Sequence, residues 1–173
     1  FRSDATRFLM LSRSSDQPID FDIEVAKKKD ASNPVYYVQY AHARICSLLR
    51  KAADPADAKA AEEGELSMDD LAAKLAPADA DLSALTAPAE LALMRKMADF
   101  EEFIDLAARD RAPFRLTHFA QDLAALFHQF YTECRVIGVE ADVQKARLAL
   151  ADSARIVLAL TLSLLGVSAP IKM

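Results

Sequence analysis

Apolar residues recur along most of this chain at steps of three and four, the signature of helices that bury one face, and no stretch alternates as a half-buried strand would. The clearest case opens at Pro113. There Leu116, Phe119, Ala120, Leu123, Leu126, Phe127 and Phe130 form one core stripe on a helix that Gly138 is expected to end. A last helix is predicted from about Glu140 to Leu165, stopped by Gly166 ahead of Pro170. From Ile156 onward it is apolar nearly all round, which predicts a place at the centre of a bundle. Another long helix starts at Asn33, a good cap, with Pro34 suited to the first helical position, and runs to about Ala53. On it Val38, Ala41, Ile45, Leu48, Leu49 and Ala52 share one stripe, while Tyr36, Tyr40, Arg44 and Ser47 gather on nearly the opposite side.

The remaining segments are weaker in pattern. Asp4 to Arg13 carries Ala5, Phe8, Leu9 and Leu11 and predicts a short helix capped by Ser3 and ended near Ser14 and Ser15. Asp20 to Lys29 predicts a second, closed by Lys27, Lys28 and Lys29, charges that suit a solvated helix C-terminus. Asp54 to Pro88 is rich in Ala, Asp and Glu and holds Pro55, Pro77 and Pro88; it reads as an acidic, solvated connector with one helix inside it. That helix is Met68 to Leu75, capped by Ser67, with Asp69 and Asp70 in its first turn. Thr86, with Glu90 close behind, opens a helix whose apolar positions are Leu91, Met94, Met97 and Ala98. It bends at Phe100 and continues through Phe103, Ile104 and Leu106 to Arg109.

Composition sharpens the fold class. Glycine is scarce, 3 in 173 residues, and alanine and leucine abound, so turns are few and an all-α helical bundle is expected, as one domain with or without an attached segment. Cys46 and Cys134 lie far apart inside apolar helical patterns, as reduced core thiols of a cytoplasmic protein would. The most apolar run, Ile156 to Val167, is about twelve residues against the roughly twenty that a bilayer requires, so no membrane partner is expected. No signal-peptide pattern follows Phe1, and a start without methionine suggests a piece of something longer.

Charge changes the picture of partners. A net charge of −5 argues against nucleic acid, but residues 54–110 hold 15 Asp and Glu against 5 Lys and Arg, leaving 16 basic and 11 acidic residues elsewhere. The aromatic face of the Asn33 helix thus falls in the basic part, where a phosphate partner is tolerable, and the acidic part is expected to face away. That face has two readings. Tyrosines at i, i+4 pack with wet hydroxyls, and aromatics beside arginine also stack on unpaired bases while the guanidinium takes a phosphate. Spacing alone does not separate them. His42, His118 and His128 with Cys46 and Cys134 could in principle bind a metal, but a thiol beside isoleucine and leucine reads as packed core. No Gly-rich phosphate loop or G-x-S-x-G is present, Glu101 and Glu102 read as exposed helix charges, and no catalytic site is recognisable.

The run N-P-V-Y-Y-V-Q-Y-A-H-A-R-I-C-S from Asn33 to Ser47 strongly resembles the segment that joins the catalytic and anticodon-binding domains of bacterial arginyl-tRNA synthetases. Asp4-Ala5-Thr6-Arg7-Phe8 resembles the D-A-x-R-F run that follows the nucleotide-binding signature loop of that family, and Asp20-Phe21-Asp22 occupies the matching place after it. Ala89-Glu90-Leu91 through Asp99-Phe100 is similar to the next helix. Phe130-Tyr131-x-x-Cys134-Arg135-Val136 and Ala146-Arg147-Leu148-Ala149-Leu150 resemble the two closing helices, and Leu164-Leu165-Gly166-Val167 through Met173 resembles the C-terminus.

The resemblance implies the tail of a catalytic domain over residues 1–32 and an all-α anticodon-binding domain of the DALR type over 33–173. It implies a parent enzyme that activates arginine with ATP and passes it to its tRNA. The H-I-G-H sequence and the lysine-bearing loop are absent, so the fragment is expected to bind arginine tRNA without catalysing. It should need no cofactor, with ATP and Mg belonging to the missing catalytic domain. Tyr40 is implied as a stacking or packing partner for loop nucleotides, Arg44 as a polar contact and Met173 as part of the anticodon-facing surface. Tyr36, Tyr131, Arg135 and Arg147 are further candidates, although Tyr131 and Arg147 stand in core-forming helices and could simply hold the bundle together. Tyr37 and His42 read as packing residues at the junction of the two domains. Glu101 replaces a proline common in the family and predicts a smoother helix there. A monomer that binds neither DNA nor membrane is expected. The alternative is a helical protein-interaction module that docks a partner helix on its aromatic face, with Met94, Met97 and Phe100 contributing.

Overall fold

The computed structural model describes residues 2–14, 16–18, 22–76 and 80–173. In chain order the helices are α1 (Arg2–Leu11), α2 (Ile23–Lys27), α3 (Pro34–Ala52), α4 (Pro55–Glu63), α5 (Met68–Leu75), α6 (Pro88–Ala98), α7 (Phe100–Arg109), α8 (Phe114–Glu133) and α9 (Ala141–Leu164), with a 3-10 turn at Leu82–Ala84. No strand occurs among the described residues. The expected all-α bundle is therefore what forms.

Its centre is the mutual packing of α3, α8 and α9, with α6 laid across α8 and α9 and α7 across α8. Ile45 and Leu49 of α3, Phe119, Leu123, Phe127 and Phe130 of α8, and Leu148, Leu158 and Leu162 of α9 are fully buried there. Each such side chain contributes about 1.5–3 kcal/mol by leaving water. Ala5 and Phe8 of α1 enter the same core, so the N-terminal segment is packed against the bundle rather than set apart from it. Caps fix where the helices begin. The Asn33 carboxamide oxygen accepts from the Tyr36 N–H at 3.5 Å, and its amide donates to the Lys28 carbonyl at 2.9 Å, tying the end of α2 to the start of α3. Ser67 accepts from Asp70 N–H at 3.0 Å, as the pattern predicts.

Several expectations are corrected. The acidic connector contains α4 as well as α5: Asp54 caps it by accepting from Ala56 and Asp57 N–H at 2.9 and 3.0 Å, Pro55 takes its first position, and Gly64 ends it at φ 83°. α1 already includes Ser3, which is no cap, and α2 begins after Asp22, while Asp20 and Phe21 lie outside the described residues. The cap position of α6 is Ala87 rather than Thr86, with Glu90 reaching back to the Ala87 N–H at 2.7 Å. Its buried face is Ala89, Glu90 and Leu93, and Ala98 is exposed. The bend near Phe100 is a true interruption at Asp99, so Glu101 brings no smoother helix. Phe100 and Phe103 turn from it onto Phe119, at ring distances of 5.4 and 5.1 Å. α8 stops at Glu133, before Gly138, because the chain leaves the helix at Cys134 to bury Val136.

The largest correction concerns α9. Its last turns are not central all round: Ile156, Leu160 and Leu164 are 43%, 50% and 57% exposed and line one face at i, i+4, i+8. Ala154, Leu158 and Leu162 are buried. α9 thus lies on the core with one apolar stripe turned outward.

Candidate nucleic-acid interface

The spacing on α3 sets Tyr36, Tyr40, Arg44 and Ser47 one above another on the side turned away from the core. The Tyr36 and Tyr40 rings stack at 6.1 Å between centroids and 7° between planes. The Arg44 guanidinium lies 5.3 Å from the Tyr40 ring and 4.6 Å from the ring of Tyr131, which α8 brings from the opposite side. Arg44 makes no hydrogen bond or ion pair among the described residues, so two aromatic faces orient it while its N–H donors stay open. Tyr37, Tyr40 and Phe127 surround the His128 ring at 4.9, 5.9 and 5.7 Å.

Tyr40 and Arg44 form a ridge between two hollows. The larger, about 720 Å³, runs past Ser47, Arg50, Lys51 and Tyr131 to Lys59 of α4 and to Lys172 and Met173. Five cationic side chains line it, Arg44, Arg50, Lys51, Lys59 and Lys172, against one carboxylate, Glu62, which pairs with Lys172 at 2.7 Å. The smaller, about 420 Å³, is walled by Tyr36, Tyr37, Tyr40 and His128, with Lys29 and Asp30 at its edge. α4 belongs to the acidic half of the sequence and still forms a wall of the larger cleft, so that half does not simply face away. Among the described residues no group of three or more His, Cys, Asp or Glu is arranged to hold a metal.

Met173 is held at this cleft by a strap, residues 166–173, that has no helix of its own and borrows its hydrogen bonds. Arg7 of α1 donates to the Gly166 carbonyl, and Gly166 turns at φ 66°, where an added Cβ would meet the Arg7 side chain at 2.8 Å. Asp4 accepts from the Ser168 hydroxyl and, at 2.9 Å, from the buried Gln39 amide, which also donates to the Ser168 carbonyl at 2.9 Å. Partial burial works to raise the Asp4 pKa, but these hydrogen bonds outweigh it and hold the carboxyl below its ordinary value. His42 Nδ1–H donates to the Pro170 carbonyl at 2.9 Å and Arg50 to the Ile171 carbonyl at 3.1 Å. Burial lowers the His42 pKa against that hydrogen bond, so the ring is neutral, and burial pushes the neighbouring Cys46 thiol up to about 11. His42 therefore packs, as expected, but under the tail.

Of the residues singled out from sequence, the structure gathers Tyr36, Tyr40, Arg44, Tyr131 and Met173. It does not bring Arg135 and Arg147 to them, since neither lines either hollow. Arg147 Nε donates to the fully buried Glu90 at 2.6 Å, and another of its nitrogens donates to the Arg135 carbonyl at 2.7 Å. Arg135 folds back on the Ile137 carbonyl at 2.9 Å. Sequence reasoning missed Arg50, Lys51, Lys59, Lys172 and the place of His128. Lys51 could have been found, standing at i+7 from Arg44; Lys59 and Lys172 come from other elements and carry no local signal.

Comparison with known proteins adds a lineage to this geometry. The arginine–tRNA ligase of Dehalococcoides mccartyi strain CBDB1 is 46% identical over 168 residues, covering 97% of this chain and 27% of that protein. The arginine–tRNA ligase of Heliobacterium modesticaldum is 46% identical over 170 residues, covering 98% and 28%. The solved arginyl-tRNA synthetase of Thermus thermophilus has the same fold with a TM-score of 0.75 and 31% identity, over 98% of this chain and 26% of that one. The chain thus spans about a quarter of the length of the relatives it matches. The sequence pattern of the DALR anticodon binding domain matches residues 38–173, every turn of the bundle from Val38 of α3 to the end of the strap. With most of its length accounted for in this way, the chain belongs to the DALR anticodon-binding domain family.

Proposed function

We propose that this chain is the part of an arginine–tRNA ligase that holds the anticodon loop of arginine tRNA. The observation that carries this reading is the Tyr40–Arg44–Tyr131 sandwich at the mouth of a basic cleft, in a chain of this family. Tyr36 and Tyr40 present ring faces on which unstacked loop bases rest, and Arg44 presents free N–H donors to a phosphate or a base edge. Met173 supplies an apolar wall, 42% exposed, and Lys51 and Lys59 attract the backbone. Arg147 is engaged with Glu90 and the Arg135 carbonyl and Arg135 with the Ile137 carbonyl, and both lie outside the two hollows.

On the same reading residues 1–32 are the end of a preceding catalytic domain and residues 33–173 the anticodon-binding domain. Arginine activation with ATP and Mg belongs to the part of such a ligase that this chain does not span. The protein works in the cytoplasm as a monomer, with neither DNA nor membrane as partner.

Fluorescence anisotropy with a transcript of an arginine tRNA tests the reading. The chain should bind, with affinity falling as salt rises because phosphate contacts release counterions. Tyr40→Ala and Arg44→Ala should each weaken binding by about 1–3 kcal/mol, roughly five- to more than a hundredfold. Equal binding by all three proteins would reject the assigned site.

A further inference from the structure

We infer that the smaller hollow is a subsite for one unstacked base of the bound RNA loop, and that His128 is the hydrogen-bonding group that base meets. The inference rests on the function proposed above and assigns a pocket and a residue which that reading leaves without a role.

Four observations converge on it. The hollow, about 420 Å³, falls within the roughly 300–1,000 Å³ typical of small-ligand sites. Its walls are mainly rings, Tyr36, Tyr37, Tyr40 and His128, which suit a flat π-surface better than an anion. The carboxylate at its edge, Asp30, is already engaged by the Ser32 N–H at 2.9 Å and the Ser32 hydroxyl at 2.5 Å, so it does not compete for the occupant. Finally, Nδ1 and Nε2 of His128 are both buried and neither makes a hydrogen bond of normal geometry.

An imidazole left this way is costly in the free protein, because it has given up water for no more than a poorly aligned contact with the Tyr37 backbone. Burial, with the Arg44 charge adding to it and the Tyr37 backbone opposing, lowers its pKa and keeps it neutral. A neutral imidazole offers one donor and one acceptor, which complements the mixed donor and acceptor edge of a base. Tyr40 lies beside it at 5.9 Å and, at 36% exposed, is the ring with room to swing aside and open the imidazole edge to the hollow. An entering base then stacks between Tyr37 and the displaced Tyr40 and completes the hydrogen bonding of His128. Lys29 at the rim is placed for the adjoining phosphate.

His128→Phe tests this, since it keeps the ring and removes both nitrogens. The variant should melt at the same temperature as the starting chain or higher, because an unsatisfied polar group has been replaced by an apolar one. It should bind an arginine tRNA transcript about three- to tenfold more weakly, the loss of one hydrogen bond. Transcripts with an abasic residue at each anticodon-loop position in turn should include one that weakens binding to the starting chain but weakens it no further in His128→Phe. Unchanged affinity in the variant, a lowered melting temperature, or abasic losses that are the same in both proteins would overturn the subsite. If the starting chain itself lacks salt-sensitive affinity for the transcript, the proposed function fails, and the subsite with it.

Discussion

Arg44 and Arg147 are both arginines on long helices of the same bundle, and their surroundings give them opposite duties. Arg44 meets only ring faces, 5.3 and 4.6 Å away, so its direction is fixed while its hydrogen-bonding capacity is unspent. Arg147 has spent its capacity on Glu90, whose side chain is 0% exposed, and on the Arg135 carbonyl. Removing the arginine strands a buried carboxylate, which typically costs about 3–5 kcal/mol. Arg147→Met should therefore lower denaturant stability by roughly that amount while the protein that remains folded binds tRNA with little change. A selective loss of binding at unchanged stability would give Arg147 a direct role in RNA contact. The sequence separates the two only partly: Arg44 shares a helical face with two tyrosines, whereas the partner of Arg147 lies 57 residues away and no spacing rule reaches it.

At the scale of elements, α3 is legible because a cap, a long apolar stripe and a known period agree, α5 because of its Ser67 cap and acidic first turn, and α8 because of its apolar stripe. α4 is not, since only Ala61 on it is buried and a stripe of alanines hardly differs from a solvated acidic stretch. The Asp54-Pro55 start signal was nonetheless present. The end of α9 illustrates the opposite error, because a periodicity counts apolar residues and does not say how many have something to pack against. Leu160, read as core, would cost about 2–5 kcal/mol on truncation or polar replacement. At 50% exposure it should not: Leu160→Lys is expected to shift stability by no more than about 0.5 kcal/mol in a thermal or urea melt. A loss of several kcal/mol would mean that this face is covered. The tyrosines and cations of α3 could be read from that helix alone, whereas Tyr131 and His128 come from α8, Lys59 from α4 and Lys172 from the strap, and these join the site only after the chain has folded.

For the whole molecule, acid should act through His42, which is buried, and His128, whose ring nitrogens are, before it acts on the carboxylates. The pKa values of His42 and His128 are both lowered on folding, mainly by burial, from ordinary values near 6.5. The unfolded chain then binds protons that the folded one refuses. The stability these rings contribute is complete above about pH 6.5 and is lost as pH falls from there through the lowered folded values. Melting temperature should decline from pH 7 towards pH 5, and the decline should be shallower when both rings are replaced, as in His42→Gln with His128→Phe. A flat profile in the starting chain would contradict their burial as neutral rings. Asp4 follows at lower pH: its folded pKa lies below the ordinary carboxylate value, so its contribution holds above that value and disappears as pH drops past the folded one.

The C-terminal strap has a practical consequence for anyone handling the protein. Its final residue already stands in the wall of the cleft, stitched there by contacts to α1 and α3, so anything appended after Met173 begins its path at the mouth of the site. On the function proposed above, a purification handle at that end would compete with RNA for the cleft, and a cleaved scar of even a few residues would register as weakened binding with no fault in the fold.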